Sequence, residues 1–388
     1  MKSSAKTDTA TKTPVRFNDV TLRDGEQAAF VVFSLSEKLR IAQLLDDIGV
    51  NQIEAGIPAM GGEEKLAVEK IASFGLRCMV SAWSRAVIPD IRHCVDCQVE
   101  MVEISLPTSD LMIEKKLHKS RRWVLESIRA AVAFAKEHGL RVAVGAEDAS
   151  RTDIGFLVEY ATAAQREGAE RLRYCDTIGL LDPFKTAAAV SALVSALREK
   201  VNIDVEIHSH NDFGMATANS LAAAQSGACW INTTLGGLGE RAGNAPLEEV
   251  AMALKHIQGM DTGLDESMFA EAVRYTMLAA GRETGVDKPI VGAHIFSHES
   301  GLHVDGILKL PQTYEPYVPK SVLSEHRIVI GKHTGSHAII AKMQALGISL
   351  SPAAAVSLLP VVRARAIRNK RALNDVELAE LVGHVVSH

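Results

Sequence analysis

His208 and His210 stand two positions apart at the end of the apolar run Val205-Glu206-Ile207. On a strand, side chains at i and i+2 share a face, so two such imidazoles can grip one divalent ion. A pair of surface histidines beside a loop has the same spacing, and the pair alone does not separate the two readings. Asp24, near the start of the chain, and the glycine-rich loop Gly236-Gly237-Leu238-Gly239-Glu240-Arg241-Ala242-Gly243-Asn244 favour the ion. One carboxylate and two imidazoles leave coordination positions open for substrate, as a catalytic rather than a structural site requires. The amide oxygen of Asn244 is a plausible fourth ligand. A mixed nitrogen and oxygen set suits Mn2+, Mg2+ or Zn2+ and does not choose among them. Arg23, next to Asp24, would set a fixed cation and several donors beside a carbonyl oxygen on that metal.

Residues so far apart in sequence need a scaffold that gathers them. From residue 15 onward, short apolar runs alternate with segments of helical period. The pattern predicts strands over 15–20, 52–57, 76–82, 99–106, 141–147, 171–175, 204–208 and 229–235. Helices are predicted over 36–49, 62–74, 85–94, 120–138, 151–168, 183–199, 214–227 and 246–258. Gly49, Gly75, Gly139, Gly168 and Gly227 each follow a periodic segment, where a helix stop wants a left-handed residue. Eight strand–helix units of this length fit a parallel (β/α)8 barrel, also called a TIM barrel. A doubly wound open sheet is the alternative, but its Gly-x-Gly-x-x-Gly turn after the first strand is absent. The expected organisation is a disordered tail over 1–14, a catalytic barrel over 15–262 and a mostly helical C-terminal appendage over 263–388. The appendage reads as too short to hold an independent core.

In such a barrel, catalytic groups sit at the C-terminal ends of strands, and the unusual polar residues fall there. Strand one ends in Thr21-Leu22-Arg23-Asp24-Gly25-Glu26-Gln27. Strand two carries Glu54, strand five ends in Glu147-Asp148, strand six in Asp176-Thr177 and strand seven in His208-Ser209-His210-Asn211-Asp212. Asp148 and Asp176 also suit helix caps or loop charges.

Bulk composition excludes several classes. Hydrophobic content of 47% and charged content of 23% are those of an ordinary globular chain. A net charge of −5 recommends neither nucleic acid nor an anionic membrane as partner, and no run of roughly 18 apolar residues marks a membrane span. The polar first residues lack the apolar core of a signal peptide, so the expected location is the cytoplasm. Five cysteines suit a reducing compartment. Cys94 and Cys97 form a Cys-x-x-Cys beside His93, without the second ligand pair or thioredoxin-like context that zinc or redox work needs.

Three of these segments, Thr21–Gln27, His208–Asp212 and Gly236–Asn244, resemble signatures of the acyl-CoA Claisen-condensing barrel enzymes. That family includes 2-isopropylmalate, homocitrate and citramalate synthases. The resemblance extends into His298-Glu299-Ser300-Gly301-Leu302-His303 and Gly331-Lys332-His333-Thr334-Gly335. It implies a transferase that converts an acyl group into alkyl on transfer. In that chemistry a 2-oxo acid chelates the metal, acetyl-CoA supplies the carbon nucleophile, and thioester hydrolysis releases CoA. It also assigns roles: His303 and Tyr314 match the family's catalytic His and Tyr, and Glu147 a carboxylate near the reacting groups. Gln27 and Glu54 match positions around the substrate, and Thr177 a carboxylate-binding position. In relatives the segment bearing His303 reaches the neighbouring subunit's barrel mouth, which implies a homodimer with shared active sites. Lys332, His333 and their glycines fit a role in holding the appendage in place.

Within the family, 2-isopropylmalate synthases carry a regulatory domain after this appendage. Only about fifty residues follow Gly335 here, so none is expected. Lysine-pathway homocitrate synthases carry an arginine on strand five for the distal carboxylate of 2-oxoglutarate, where this chain has Ala143. Glu54–Gly61, Ala82–Arg85 and Ser105–Met112 are similar to the nitrogen-fixation type of homocitrate synthase, which also lacks that arginine and makes homocitrate for the nitrogenase iron–molybdenum cofactor. Arg85, at the end of strand three, is then the expected partner of the distal carboxylate. A 2-isopropylmalate- or citramalate-type enzyme is the alternative. An acyl-CoA lyase is less favoured, since those enzymes usually carry a cysteine in the loop matching Gly236–Asn244.

Overall fold

The computed structural model describes residues 14–386, with the side chains of 384–386 left aside. The tail expected over 1–14 lies, but for its last residue, outside the described residues. Two compact units are present, Met1–Thr284 and Gly285–His388.

The first unit is the expected closed barrel of eight parallel strands. In chain order these are β1 (Arg16–Asp19), β2 (Gln52–Glu54), β3 (Met79–Arg85), β4 (Met101–Pro107), β5 (Arg141–Glu147), β6 (Arg171–Asp176), β7 (Asp204–Ser209) and β8 (Trp230–Thr233). The ring closes between β8 and β1, with Asn18 level with Asn232 on one side and with Gln52 on the other. Around it run α1 (Leu35–Ile48), α2 (Gly62–Ala72), α3 (Ile88–Asp96), α4 (Asp110–Lys115), α5 (Arg121–Glu137), α6 (Ile154–Arg166), α7 (Pro183–Arg198), α8 (Ala216–Gln225), α9 (Leu247–His256) and α10 (Phe269–Ala279). Local signals set their ends. Ser34 and Glu37 form a reciprocal capping box at the start of α1, and Gly49 closes that helix at φ 93°. The short helix α4 was not visible in the sequence, because one and a half turns carry too little periodicity to register.

Alternate strand residues divide sharply. Outward positions such as Phe17, Ile53, Val102, Val144, Leu172 and Ile207 are apolar and fully buried against the helices. Inward positions are polar: Asn18, Gln52, Glu54, Glu103, Arg171, Arg173 and Glu206 are all 2% exposed or less. Barrels of this type are usually filled by branched apolar side chains. This one is filled by ion pairs and amides.

The second unit has its own buried cluster, including Val304, Ile330, Ile339, Met343, Leu358 and Val362. This corrects the expectation that the appendage is too small to hold a core. Its two short strands, β9 (Ser297–His298) and β10 (Arg327–Ile328), pair in parallel. Its helices are α11 (Gly301–Lys309), α12 (Ser336–Ala345), α13 (Pro352–Asn369) and α14 (Asp375–Val386). Among the described residues no helix is long and apolar enough to cross a membrane.

Candidate active site

After β1 the chain winds into one wide turn, Thr21–Gly25, closed by Gly25 N–H donating to Val20 O at 3.0 Å. Asp19 and Thr21 anchor that turn. Asp19 Oδ1 accepts from Thr21 N–H at 2.9 Å, and Thr21 Oγ1 accepts from Leu235 N–H at 2.9 Å. Burial pushes the Asp19 carboxyl up to about 7, against the hydrogen bonds from Thr21. The turn presents Arg23 and Asp24, both buried, at the C-terminal mouth of the barrel.

Asp24, His208 and His210 converge there, with ligand atoms all within 4.8 Å of one another. The two imidazole Nε2 atoms are 3.1 Å apart. Burial holds both histidines below their ordinary range, so both rings are neutral and offer lone pairs. Burial works against the Asp24 carboxylate, but the Arg23 charge and the hydrogen bond from Asn244 hold it below the usual carboxylate range. Asn244 lies beside His210 in an antiparallel bridge. Its Nδ2 donates to Asp24 Oδ2 at 2.6 Å and to Leu238 O at 3.1 Å, which leaves Oδ1 buried and without a partner. An orphaned amide oxygen, an ionised carboxylate and two neutral imidazoles in one buried spot fit a divalent metal. Gly243 makes the loop possible: at φ 95°, any Cβ on it would lie 2.0 Å from Gly237 O.

Arg23 is held on several sides. Its Nε donates to Glu54 Oε1, and its Nη1 donates to Asp24 Oδ1 at 2.7 Å and to Gln27 Oε1 at 3.3 Å. Its guanidinium carbon stands over the Trp83 ring, 6.0 Å from the ring centroid. Burial opposes the Glu54 charge, yet Arg173 and Arg23 hold its carboxyl down to about 2. Beside Arg23 and Gln27 opens a cavity of about 940 Å3 with Val31, Phe33, Ile57 and Met60 in its wall. The structure thus joins Arg23, Asp24, Gln27, Glu54, His208, His210 and Asn244 in one contact network.

Glu147 and Thr177 stand at the ends of β5 and β6. Glu147 Oε1 accepts from Lys116 Nζ at 2.6 Å, and Thr177 Oγ1 accepts from Asp148 N–H at 2.8 Å. Asp148 itself is a loop anchor, taking Arg151 Nε at 2.9 Å on each oxygen and the Ser109 hydroxyl. Arg85 is placed differently. Its guanidinium makes a two-pronged pair with Asp90 at 2.6 and 3.1 Å and is 68% exposed, and it makes no contact with the Arg23 network.

In the second unit, His303 and Tyr314 stack with ring centroids 4.2 Å apart. Gly306 allows it, since a Cβ there would lie 2.5 Å from Tyr314 Cε2. Glu315, the next residue, is buried and accepts from His326 Nδ1 at 2.6 Å and His298 Nε2 at 3.3 Å. The two motifs of this unit interlock: Glu299 Oε1 accepts from His333 N–H at 2.8 Å, and Gly301 N–H donates to His333 O at 3.2 Å.

Sequence reasoning missed Arg171, Arg173, Glu103 and Glu206, which line the barrel below the mouth. The signal was present. The period of two that paired His208 with His210 also puts Glu206 on their face, and it pairs Arg171 with Arg173. Cys94 and Cys97 are buried, and their thiols point at backbone carbonyls of Asp90 and Lys65.

Known proteins resemble this chain along most of its length. The HMGL-like family model matches residues 14–275, and the homocitrate synthase post-HMGL domain-like model matches residues 290–370. The chain is 54% identical over 373 residues to 2-isopropylmalate synthase 2 of Caldanaerobacter subterraneus subsp. tengcongensis, covering 96% of each. It is 50% identical over 368 residues to homocitrate synthase 1 of a Nostoc species, covering 95% of this chain and 97% of that one. The crystal structure of hydroxymethylglutaryl-CoA lyase from Pseudomonas aeruginosa shares the fold, with a TM-score of 0.61 at 22% identity over 70% of this chain and 95% of that one. A polar-cored barrel with its metal-ready mouth, matched end to end by that family model, makes the chain a member of the HMGL-like family.

Proposed function

We propose that this protein condenses acetyl-CoA with a 2-oxo acid and hydrolyses the resulting thioester. The observation that carries this reading is the buried set Asp24, His208, His210 and Asn244, with Arg23 fixed beside it. A divalent ion held there (Mn2+, Mg2+ or Zn2+) would polarise the keto group of a chelating 2-oxo acid. Arg23 donates hydrogen bonds toward the oxygen on which negative charge builds as the new C–C bond forms. Thr177 accepts from Asp148 N–H, so its own hydroxyl proton is left to donate to a substrate carboxylate. Glu147, with Lys116 on one oxygen, and the stacked pair His303–Tyr314 are the proposed proton-handling groups. A proton leaves the acetyl methyl, the carbanion adds to the keto carbon, and the alkoxide is protonated. Water then attacks the thioester carbonyl and CoA leaves as its thiol. We further propose a homodimer in which His303 and Tyr314 serve the partner's reaction.

For the 2-oxo acid, 2-oxoglutarate is favoured, giving (R)-homocitrate of the kind needed for the nitrogenase cofactor. The Nostoc relative's name and the match to the post-HMGL domain support it. The second reading, 2-oxoisovalerate, is favoured by the Caldanaerobacter relative's name and by the engagement of Arg85 with Asp90. The deciding experiment measures CoA release with 2-oxoglutarate, 2-oxoisovalerate and pyruvate, with and without chelator. Activity with 2-oxoglutarate that disappears on chelation is expected. Release with only the other two acids would sink the homocitrate reading, and chelator-resistant release would sink the metal.

A further inference from the structure

Arg173 sits inside the barrel, below the residues that face the substrate, and none of the roles above uses it. It is among the largest fully buried side chains in the described structure. Its Nη2 donates to Glu54 Oε2 at 2.7 Å and lies 3.5 Å from Glu103 Oε2, and its Nε lies 3.3 Å from Glu206 Oε1. One guanidinium on β6 thus stands between carboxyls from β2, β4 and β7. Glu54 is the shared member, since its other oxygen takes Nε of Arg23.

The carboxyls around Arg173 are not alike. Burial pushes the Glu103 carboxyl up to about 8, so at neutral pH Glu103 carries a proton. Arg171 pairs with Glu206, Nε to Oε2 at 2.6 Å. Arg173 thus meets Glu54 directly and lies between it, Glu103 and Glu206. A buried carboxylate with one cation removed protonates or moves, because an uncompensated charge in a low dielectric is costly. Glu54 therefore depends on Arg173 to remain an anion in place, and the direction of Arg23 depends on Glu54.

Resting on the functional reading above, we propose that Arg173 is a positioning residue for the condensation. It clamps Glu54, Glu54 fixes Nε of Arg23, and Nη1 of Arg23 is left aimed at Asp24 and Gln27 in the mouth. A mere filler of the barrel would support folding but would not set the angle of Arg23.

The test compares wild type with Arg173→Ala and Arg173→Lys as full-length, metal-loaded proteins. For Arg173→Ala, metal content at the Asp24–His208–His210 site stays as in wild type. Its kcat falls about tenfold or more, and KM for the 2-oxo acid moves less than about threefold, the pattern for a lost transition-state donor. Guanidinium ion below denaturing concentration restores part of kcat by entering the space between the three carboxyls. Arg173→Lys keeps the charge but loses the planar fork, and is expected between the two. In a crystal structure of Arg173→Ala, the Arg23 guanidinium is turned away from Asp24.

An unchanged Arg23 in that structure, or unaltered kcat per folded molecule, overturns the proposal. If Arg173→Ala does not fold, wild-type kcat in Arg173→Lys overturns it equally. Should wild type release CoA with no 2-oxo acid, the functional reading fails separately, and the position of Arg23 in the variant still decides this inference.

Discussion

Asp24, His208 and His210 share one buried spot, and each contributes a different need. The carboxylate supplies charge, and the imidazoles supply neutral nitrogens that burial keeps unprotonated. We expect His208→Ala combined with His210→Ala to purify without bound metal and to lose more than about 100-fold in activity. Metal analysis of the purified variant, at wild-type levels, would disprove the ligand assignment. Asp19 offers a prediction on stability alone. Its carboxyl is raised to about 7 in the fold from an ordinary value of 3.8, so the folded state binds the proton more tightly than the unfolded chain. That contribution is complete below about pH 4 and is lost as pH rises through about 7. Glu103, raised to about 8, slopes the same way. Asp19→Asn is expected to flatten the decline in unfolding free energy between pH 4 and 7, by at most a few kcal/mol. An unaltered slope in denaturant titrations would show that Asp19 is ionised in the fold.

At the scale of elements, much was legible because backbone rules leave marks. Glycines after periodic segments located helix ends, and polar residues at strand ends located the mouth. The register inside the barrel is less visible, since the sequence predicts strands such as 171–175 as apolar runs and not as two faces. Charged residues on both sides of one apolar residue, Arg171-Leu172-Arg173, look like a solvated strand until closure puts that face on the axis. Helix α11 leaves little local trace: Gly301 and Gly306 lower its propensity, and the two glycines lie close against Gly335 and Tyr314 respectively, neighbours that no local pattern announces. Gly306 carries its own prediction. Gly306→Ala drives a methyl into Tyr314 and should lower kcat about 10- to 100-fold while the second unit stays folded. Unchanged kcat would mean that the His303–Tyr314 stack is dispensable. The distances that matter most, such as Asn244 to Asp24, join residues more than two hundred positions apart. Beforehand, only the gathering of unusual polar residues at strand ends and in the loop after the last strand pointed to them.

For the whole molecule, shared active sites would make subunits complement one another. Arg23→Ala and His303→Ala proteins are each expected to be inactive. Mixed by unfolding and refolding together, they should regain about a quarter of wild-type activity. Half of the dimers would be hybrids, each with one intact site. Recovery of none would place each site within a single subunit.

The charged barrel interior bears on how the chain reaches its fold. Synthesis delivers β2 with Glu54 and β4 with Glu103 well before β6 brings Arg171 and Arg173. A four-stranded half-barrel would therefore enclose Glu54 and Glu103 with Arg23 at the mouth but without Arg171 and Arg173, the arginines that otherwise stand among them. The N-terminal half has little to gain by collapsing early on the ribosome, in contrast to barrels whose halves are oily enough to stand alone. Closure becomes a late event that waits for the sixth strand, and truncation before it should leave a soluble but unstructured chain. The same arginines that hold the mouth in shape thus act as a timer on assembly.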